Sequence, residues 1–493
     1  MPALPLLAVL FAAPAPDSAA GPSTLLVAPF VVKGEGSAFT GVAVAEVVVD
    51  FIAQVNRDNF ITLKQLDATL RPRNIKLHEP SVAEGALGFA RALGATEFIS
   101  GEITRKGDLV AIEAKRIRVR DQGVIRTVKQ QGPRAVLPVL AKKLASELMS
   151  ATTKAPPPSR DPEALEVTAE CFTIMARQSL SPRAKGTLDA ATVKIGEARC
   201  RDALKLDANA ALTRAMVSVA LTCRGEFDEA RNEARRAQTG RFVAIAVLAE
   251  AFALRRGGDP KTARQILETA IGERPGFLQA IGYLGEEKLE VRDNVGAKVD
   301  FERYLKRAPG HAWAQSKLGH ALARLGKKDE AIAITRKAVA QVPEDPELNI
   351  ELGSRLIDAG KDDESIQYFK AAMDAKPPRA LAGLRLGYLY LKKRRYADAR
   401  ELFNRVIAGA QRTDESRTRQ VAQFDLALVA AHEDDFEETV QRLGAAREEG
   451  MRNVPCDNPA FKKWRRKAEL KEICKEEEGK EPIGEDEAVS VDF

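Results

Sequence analysis

The residues that could catalyse a reaction or bind a metal are few in this 493-residue chain, and their spacing favours neither role. The four histidines are His78, His311, His320 and His432. None lies in an HExxH motif or beside a cysteine pair, so a zinc site is not indicated. His432 begins the run HEDD, but a solvated turn between helices is the better interpretation of that run. No nucleophile–base set is visible, so the sequence predicts no enzyme, no cofactor and no metal.

The five cysteines form no motif of their own. They are Cys171, Cys200, Cys223, Cys456 and Cys474, and no two have the CxxC spacing of zinc or redox sites. In an exported protein, Cys456 and Cys474 could close a C-terminal loop, and the odd number leaves at least one thiol unpaired. Burial as small apolar side chains on helices is the other interpretation. The cysteines therefore do not decide the compartment.

The first residues indicate the compartment. The apolar run LPLLAVLFAA, Leu4–Ala13, is followed by PAPDSAAG, which ends in an A-x-A-like site. This outline predicts a signal peptide over residues 1–20, cleaved near Ala20, and a periplasmic mature protein. No Lys or Arg precedes the apolar run, so an upstream start codon or a plain N-terminal tail is the alternative. No other segment is predicted to span a membrane, which takes about 20 apolar residues.

Most of the chain is organised by a repeat of 34 residues. Four Leu-Gly pairs share this spacing, and they begin at Leu284, Leu318, Leu352 and Leu386. Twelve residues after each glycine stands a small residue: Ala297, Ala331, Ser365 and Ala399. Four residues further lie Phe301, Thr335, Phe369 and Phe403, and prolines recur at Pro275, Pro309, Pro343 and Pro377. Glycine and the small residues allow two antiparallel helices to approach closely, and each proline ends a second helix.

This pattern closely resembles the tetratricopeptide repeat (TPR) family, which has a small residue at position eight, Ala at twenty, an aromatic near twenty-four and Pro at thirty-two. Weaker copies extend the repeats over residues 161–452, about eight in all. The resemblance implies an all-α solenoid, a superhelix of helix–turn–helix repeats. The run NPAFKKWRRKAELKEIC predicts a capping helix within residues 453–474, and the acidic residues 475–493 predict a disordered tail.

Residues 21–150 follow a different pattern. TLLVAPFVV predicts a strand, GVAVAEVVVDFIAQV a helix, ITLKQLDATL a further strand and SVAEGALGFARALGA a second helix. Strands broken at residues 106–108 and 121–123 and a last helix, AVLPVLAKKLASELMS, complete an N-terminal α/β sandwich. The order is similar to the amino-terminal domain of TolB and to curli-secretion-type envelope domains, which implies a docking domain. Residues 151–160 predict a Pro-rich linker, semi-rigid and exposed.

The repeats offer the better candidate for a functional surface. In the TPR family, positions two, five, nine, twelve and thirteen of each repeat line the concave face. The partner-binding residues that the resemblance implies are Trp313, His320, Arg324, Ile350, Ile357, Leu381, Leu384, Tyr388 and Leu391. Positions five and nine carry no Lys or Asn, so a clamp for C-terminal carboxylates is not expected. The apolar side chains favour a partner helix or extended peptide in the groove, although they could equally pack against neighbouring helices.

Together these features predict a non-enzymatic scaffold or adaptor in a cell-envelope assembly, such as secretion, motility (gliding included) or outer-membrane machinery. Its partners would be other envelope proteins. The net charge of +6 is too dilute for nucleic-acid binding, while the basic run FKKWRRKAELK leaves peripheral membrane contact open. The alternative is a cytoplasmic TPR regulator whose N-terminal domain senses a small ligand. A hydrolase hidden in residues 21–150 is disfavoured.

Overall fold

The computed structural model describes residues 23–55, 58–70, 75–154, 157, 159, 161–176, 189–375, 379–409 and 416–474. The predicted signal peptide, the acidic tail and Pro377 lie outside the described residues. The chain divides into two compact units, Met1–Ala314 and Gln315–Phe493. The first unit therefore contains both the α/β part and the first helical repeats.

A mixed sheet flanked by helices opens the first unit. Its strands are β1 (Thr24–Val27), β2 (Val31–Gly34), β3 (Asn59–Ile61), β4 (Glu97–Lys106), β5 (Leu109–Arg118) and β6 (Val124–Pro133). Its helices are α1 (Phe39–Val55), α2 (Leu63–Leu70), α3 (Pro80–Glu84), α4 (Ala86–Ala92) and, after a short 3-10 helix at Arg134–Val136, α5 (Leu137–Met149). This architecture confirms the α/β class predicted for the N-terminal part.

The strand order is β3-β1-β4-β5-β6, and β2 also pairs with β4. The first three strands pair in parallel with their neighbours, whereas β4, β5 and β6 form an antiparallel meander. Gly107 and Gln122 have positive φ in the two turns of the meander, where the sequence predicted the breaks. The strand predicted for ITLKQLDATL is wrong after Ile61. Leu63, Leu66 and Leu70 are buried at helical spacing, which makes this segment the helix α2.

Eight helix pairs follow the sheet in the described part of the chain. The first four are α6 (Pro162–Met175) with α7 (Ala190–Leu206), α8 (Ala211–Arg224) with α9 (Phe227–Ala237), α10 (Ala244–Arg256) with α11 (Pro260–Glu273), and α12 (Leu278–Glu290) with α13 (Asn294–Arg307). The others are α14 (Ala312–Arg324) with α15 (Lys328–Gln341), α16 (Pro346–Asp358) with α17 (Asp362–Met373), α18 (Ala380–Lys392) with α19 (Tyr396–Gly409), and α20 (Ser416–His432) with α21 (Phe436–Glu448). We call the first helix of each pair its A helix and the second its B helix. This run of paired helices confirms the predicted all-α class of the repeat region.

The repeated glycine lets the two helices of a pair touch. A Cβ added at Gly353 would lie 2.7 Å from the ring of Phe369, and one at Gly387 would lie 2.5 Å from the ring of Phe403. Both rings are fully buried. A side chain larger than hydrogen would therefore push the helices apart or displace the ring. This is the close approach that the 34-residue pattern predicted.

Lysines in the second unit connect successive repeats through ion pairs. Lys361 lies 3.4 Å from Asp329, and Lys392 lies 2.5 Å from Asp362. In both cases a lysine beside the end of an A helix reaches an aspartate in the first turn of the preceding B helix. Exposed ion pairs of this kind contribute only ~0–1 kcal/mol each. They mark one edge of the stack, along which neighbouring repeats meet.

The last helix pair is covered by a segment that is not the single capping helix predicted for residues 453–474. A 3-10 helix, Pro459–Trp464, is followed by a short helix, α22 (Ala468–Ile473). Between them Lys467 has an extended backbone, with φ −69° and ψ 141°, which interrupts the helix. The interruption allows three apolar side chains of the segment to be buried: Phe461, Trp464 and Leu470. The segment thus still covers the apolar end of the stack.

Two disulfides connect helices or close loops in this fold. Cys171 of α6 is bonded to Cys200 of α7, with the Cα atoms 5.2 Å apart. Cys456 is bonded to Cys474 across the C-terminal segment, with the Cα atoms 6.0 Å apart. Cys223 is the remaining thiol, and its partial burial raises the pKa of that thiol. Of the two interpretations left open by the sequence, disulfide formation thus holds for four cysteines.

Replacing Gly353 with Ala should lower the free energy of unfolding by about 1–3 kcal/mol, because the added methyl group overlaps the Phe369 ring. Gly444 in α21 is the matched control, since nothing lies within 4 Å of a Cβ placed there. Gly444→Ala should raise the stability by about 0.5–1 kcal/mol through helix propensity. Urea unfolding followed by circular dichroism measures both changes. Equal stability of the two variants would contradict the packing argument.

Candidate protein-binding surface

The α/β part packs directly against the first helix pairs. Within the predicted linker, Ser159 is buried and donates a 2.7 Å hydrogen bond to the carboxylate of Asp207, contrary to the exposure expected there. Glu166 of α6 accepts a 2.9 Å hydrogen bond from the hydroxyl of Thr40 and lies 3.0 Å from Arg134. These contacts hold α1 and the 3-10 helix before α5 against the first A helix.

Three of the concave positions of α10, in the first unit, are buried. Positions two, five and nine of this helix are Ile245, Leu248 and Phe252, and none is more than 7% exposed. Arg255 and Arg256, at positions twelve and thirteen, are half-buried and exposed, respectively. The three apolar side chains belong to one hydrophobic cluster with Val49 of α1 and Leu66 of α2. At Ile245, which lines one cavity together with Val49, the α/β part therefore packs on a surface that would otherwise be open to a partner protein.

Hydrogen bonds and ring contacts extend this interface to the end of α6, the residue before α12 and the last turns of α13. Phe60 of β3 stacks on Phe277 with ring centroids 6.0 Å apart. The hydrogen bonds are Lys64 Nζ to the carbonyl of Ala176 (2.7 Å), Gln65 Nε2 to the hydroxyl of Tyr304 (2.9 Å), and Thr24 Oγ1 to the carbonyl of Arg307 (2.7 Å). Such directional contacts specify one orientation of the sheet on the repeats.

A small cavity of about 40 Å³ remains at this interface, between α1 and the first turns of α8 and α10. Glu46 and Asp50, one helical turn apart, line it together with Lys64. Asp50 pairs with Arg241. Burial, and then the nearby charge of Asp50, raise the pKa of Glu46 to about 8, so this acid is mostly protonated at neutral pH. The volume suits a few water molecules.

In the second unit, the concave face of α18 carries the most accessible of the predicted apolar residues. Leu381 is 49% exposed, and it is followed on the same helix face by Leu384 and Tyr388, which are half-buried. Residues three and four apart on a helix are neighbours, so these side chains form one strip. The strip combines apolar area with a phenol hydroxyl, which suits the apolar side of a partner helix or peptide.

The neighbouring predicted residues are less accessible than this strip. Ile350 of α16 and Leu391 of α18 are each 6% exposed, so they pack in the core of the second unit rather than line an open groove. Ile357 is half-buried against the same core. For these side chains the packing interpretation, which the sequence left open, describes their position better.

The three predicted residues on α14 have different surroundings. Trp313 lies in the first unit, where its ring meets the rings of Phe301 and Tyr304 edge-on. His320 is half-buried, and burial followed by the charges of nearby arginines lowers its pKa to about 4, so it is neutral at pH 7. Arg324 is exposed. The structure therefore does not bring all nine residues together in one surface.

Asp425 is a buried acid that the sequence analysis missed. It lies on α20, is 1% exposed, and its Oδ1 atom accepts no hydrogen bond. Burial raises its pKa to about 8, and Arg385 only partly offsets this effect. The signal was available, because Asp425 interrupts the apolar run FDLALVAA. Because the side chain is buried, ionisation of this carboxylic acid lowers the stability of the folded protein.

Two kinds of site are absent from the described part of the chain. No three His, Cys, Asp or Glu side chains there are grouped so that they could hold a metal ion. No helix among the same residues has the length and apolar character that crossing a membrane requires. The HEDD run lies at the turn between α20 and α21, where Asp435 accepts the capping hydrogen bond of α21.

Comparison with known families identifies the repeats. The tetratricopeptide repeat model matches residues 288–350 and 356–418. This region is therefore made of tetratricopeptide repeats, and the predicted TPR recognition is confirmed. The family model does not extend to the α/β part, and the likeness of that part to the TolB amino-terminal domain is not confirmed. Tetratricopeptide repeats stack into scaffolds whose extended surfaces bind other proteins.

Solved structures with similar helical repeats include MamA, PilW and yeast Tom70. MamA is 19% identical, with 32% of this chain and 93% of MamA covered and a TM-score of 0.30. PilW, a type IV pilus biogenesis factor, is 21% identical over 35% of this chain and 77% of its own, with a TM-score of 0.32. Yeast Tom70 is 13% identical over 59% of this chain and 61% of its own, with a TM-score of 0.42. No curated protein sequence matches the chain.

Replacing Asp425 with Asn should stabilise the protein more at pH 8 than at pH 5. The folded-state pKa is raised to about 8 from an ordinary value of 3.8, so wild-type stability falls as pH rises between these values, whereas Asn does not titrate. The stability difference between variant and wild type should grow by roughly 2–4 kcal/mol over this range.

Urea unfolding at both pH values measures this difference, and Asp374→Asn, at an exposed acid, is the matched control. A variant whose advantage is the same at pH 5 and pH 8 would show that Asp425 does not titrate as its burial implies.

Proposed function

We propose that this chain is a non-enzymatic scaffold that binds a segment of a partner protein on the α18 strip, formed by Leu381, Leu384 and Tyr388. The exposure of Leu381 carries this proposal. The equivalent residue of α10, Ile245, is 7% exposed and lies beside Val49 of α1, whereas Leu381 presents half of its apolar surface to solvent. Together with partly covered Leu384 and Tyr388, this exposed leucine offers one apolar strip on which the apolar side of a partner segment can pack.

We also propose that the protein works in the periplasm, as part of an envelope assembly for secretion, motility or outer-membrane construction. Two disulfides support this setting, since disulfides persist in oxidising compartments and are rare in the cytosol. The predicted signal peptide over residues 1–20 points the same way. The α/β part would then serve chiefly to complete the first unit, because much of its surface packs on the repeats.

The ligand-sensing regulator remains the alternative, and the cavity beside Glu46 is the feature on which it would depend. A cavity of about 40 Å³ has room for a few waters but not for a metabolite, because a drug-sized ligand needs roughly 300 Å³ or more. The cavity therefore favours a structural role for Glu46 and Asp50 over ligand sensing.

The thiol content of the native protein tests the compartment. Protein isolated from envelopes and denatured without reductant should react with maleimide at one cysteine, Cys223, and at five after reduction. Mass spectrometry counts the labels, and the same spectrum shows whether the mature chain begins near residue 21. Five reactive thiols before reduction, together with a retained Met1, would favour the cytoplasmic regulator.

Partner binding is tested by crosslinked affinity capture from intact envelopes, comparing wild type with Leu381→Asp. Because Leu381 is 49% exposed, the substitution should leave the fold intact and reduce recovery of the main partner at least tenfold. Ala397→Asp, at an exposed position on the B helix of the same pair, is the matched control and should keep the partner.

Circular dichroism confirms that both variants are folded. Undiminished capture by folded Leu381→Asp would move the binding site away from α18, and loss in both variants would show that any added charge on this pair interferes.

A further inference from the structure

Leu381 is the one uncovered apolar position in the second unit. Among the large apolar side chains described in that unit it alone is exposed, whereas the other exposed ones lie in the first unit. Leu384 and Tyr388 continue the α18 strip along the same helix face. Because each helical residue rises 1.5 Å, the strip extends roughly 10 Å along the helix axis. A few side chains of an extended peptide suffice to cover such a strip.

Residues 475–493 of the same unit have a pattern that complements the strip. They include eight Asp or Glu and two Lys, so this acidic segment carries a net charge of −6. Since the whole chain carries +6, residues 1–474 carry +12. In an extended peptide alternate side chains point the same way, so Val489, Val491 and Phe493 would share one apolar face of about 13 Å. The length of this face is close to that of the strip.

A basic run, Lys392–Arg395, lies at the end of α18, and its first residue is one helical turn beyond Tyr388. Three of its members are paired with aspartates: Lys392 with Asp362, Lys393 with Asp363 and Arg395 with Asp398. Arg394 is exposed and makes no ion pair within the described part of the chain. The run thus has one cation more than the carboxylates paired with it, which favours an acidic ligand beside the strip.

The acidic segment is long enough to reach the strip. The residue before it, Cys474, is fixed beside the last turn of α21, because Arg447 donates hydrogen bonds to the carbonyls of Glu472 and Ile473. Only α20 lies between α21 and α18, and it packs against both. Two helix spacings and the length of α18 each amount to roughly 20 Å. The fifteen residues 475–489 span up to about 50 Å when extended, which exceeds this path.

We propose that residues 485–493 dock on the α18 strip of their own chain and compete with the partner protein for it. The acidic residues 485–487 then face the basic run, and the apolar face that follows covers the strip, with Phe493 at Leu381. The competition rests on the function proposed above, whereas the docking does not. A ligand on a short tether has an effective concentration in the millimolar range, so the segment sets a threshold that a partner must exceed.

Photocrosslinking in the full chain tests the docking. The photoreactive residue p-benzoylphenylalanine replaces Phe493, and mass spectrometry of the irradiated monomer identifies the attached peptide. We expect the tryptic peptide ALAGLR, residues 380–385, which contains Leu381 and Leu384. The yield should be the same at every protein concentration, because the contact forms within one chain.

Substitutions in the segment test the apolar face. Val491→Asp should lower the crosslink yield roughly tenfold, because it places a carboxylate in an apolar contact. Ser490→Asp adds the same charge on the opposite side of the extended segment and is the matched control, which should keep the yield. Arg394→Glu should also lower the yield, and this effect should disappear in high salt, which screens exposed charges. Circular dichroism shows that each variant remains folded.

Affinity capture from intact envelopes separates the docking from the partner site. Val491→Asp should raise recovery of the partner about threefold, because the tethered competitor is released. If Leu381→Asp loses the crosslink but keeps the partner, the partner site proposed above is wrong and the docking stands. If the partner depends on Leu381 but no crosslink to residues 380–392 forms, the docking is overturned and the partner site stands. Unchanged recovery with Val491→Asp would overturn the competition.

Three other outcomes would overturn the docking in this form. Crosslinks confined to the basic run FKKWRRKAELK, residues 461–471, would show that charge alone holds the segment. A crosslinked dimer in place of the monomer would assign the strip to the segment of a second copy. Equal losses of yield in Ser490→Asp and Val491→Asp would show that the segment presents no apolar face to α18.

Discussion

A helix pair of this kind cannot cover its own apolar surfaces, and the rest of the structure depends on this constraint. Gly353 and Phe369 show how tightly the two helices of one pair meet, which leaves the faces above and below them to be covered by something else. Neighbouring pairs cover most of these faces. At the first pair, α1 and α5 pack on α6, and after the last pair the segment with Phe461 and Trp464 packs on α20 and α21. Elements outside the repeats are thus needed wherever the repetition stops.

The parts of the fold that follow from local spacing were predictable. The 34-residue period predicted the helix pairs and the glycine–phenylalanine contacts, because both depend on residues fewer than 40 apart. The packing of the sheet on the repeats could not be predicted. Contacts such as that of Thr24 with Arg307 join residues 283 positions apart and leave no periodic signal in the sequence. The helix α2 was missed because its short apolar run was too brief to distinguish from a strand. The break in the predicted capping helix at Lys467 could not be predicted either. It depends on which apolar side chains of the segment are buried against the last helix pair.

The candidate site shows the same division between local pattern and tertiary context. Family positions placed Ile350, Leu384 and Leu391 on one concave face, and they do lie on A helices. Whether such a side chain is open or covered depends on its neighbours, which the repeat does not specify. Ile350 and Leu391 are covered, while Leu381 is not. Asp425, in the same second unit, has no hydrogen-bond partner for one carboxylate oxygen. A buried polar atom without a partner destabilises the folded state, and no compensating structural gain is evident at this position.

The disulfide between Cys171 and Cys200 changes the covalent connectivity of the first helix pair. It joins α6 to α7 across 29 residues of sequence. A protease that cut the backbone once between these cysteines would produce two polypeptides that stay linked through sulfur. The nicked protein would migrate as a single band until a reductant was added. The fragment that contains the sheet and α6 would remain tethered to the repeats, so one cleavage there would not free the N-terminal part from the scaffold.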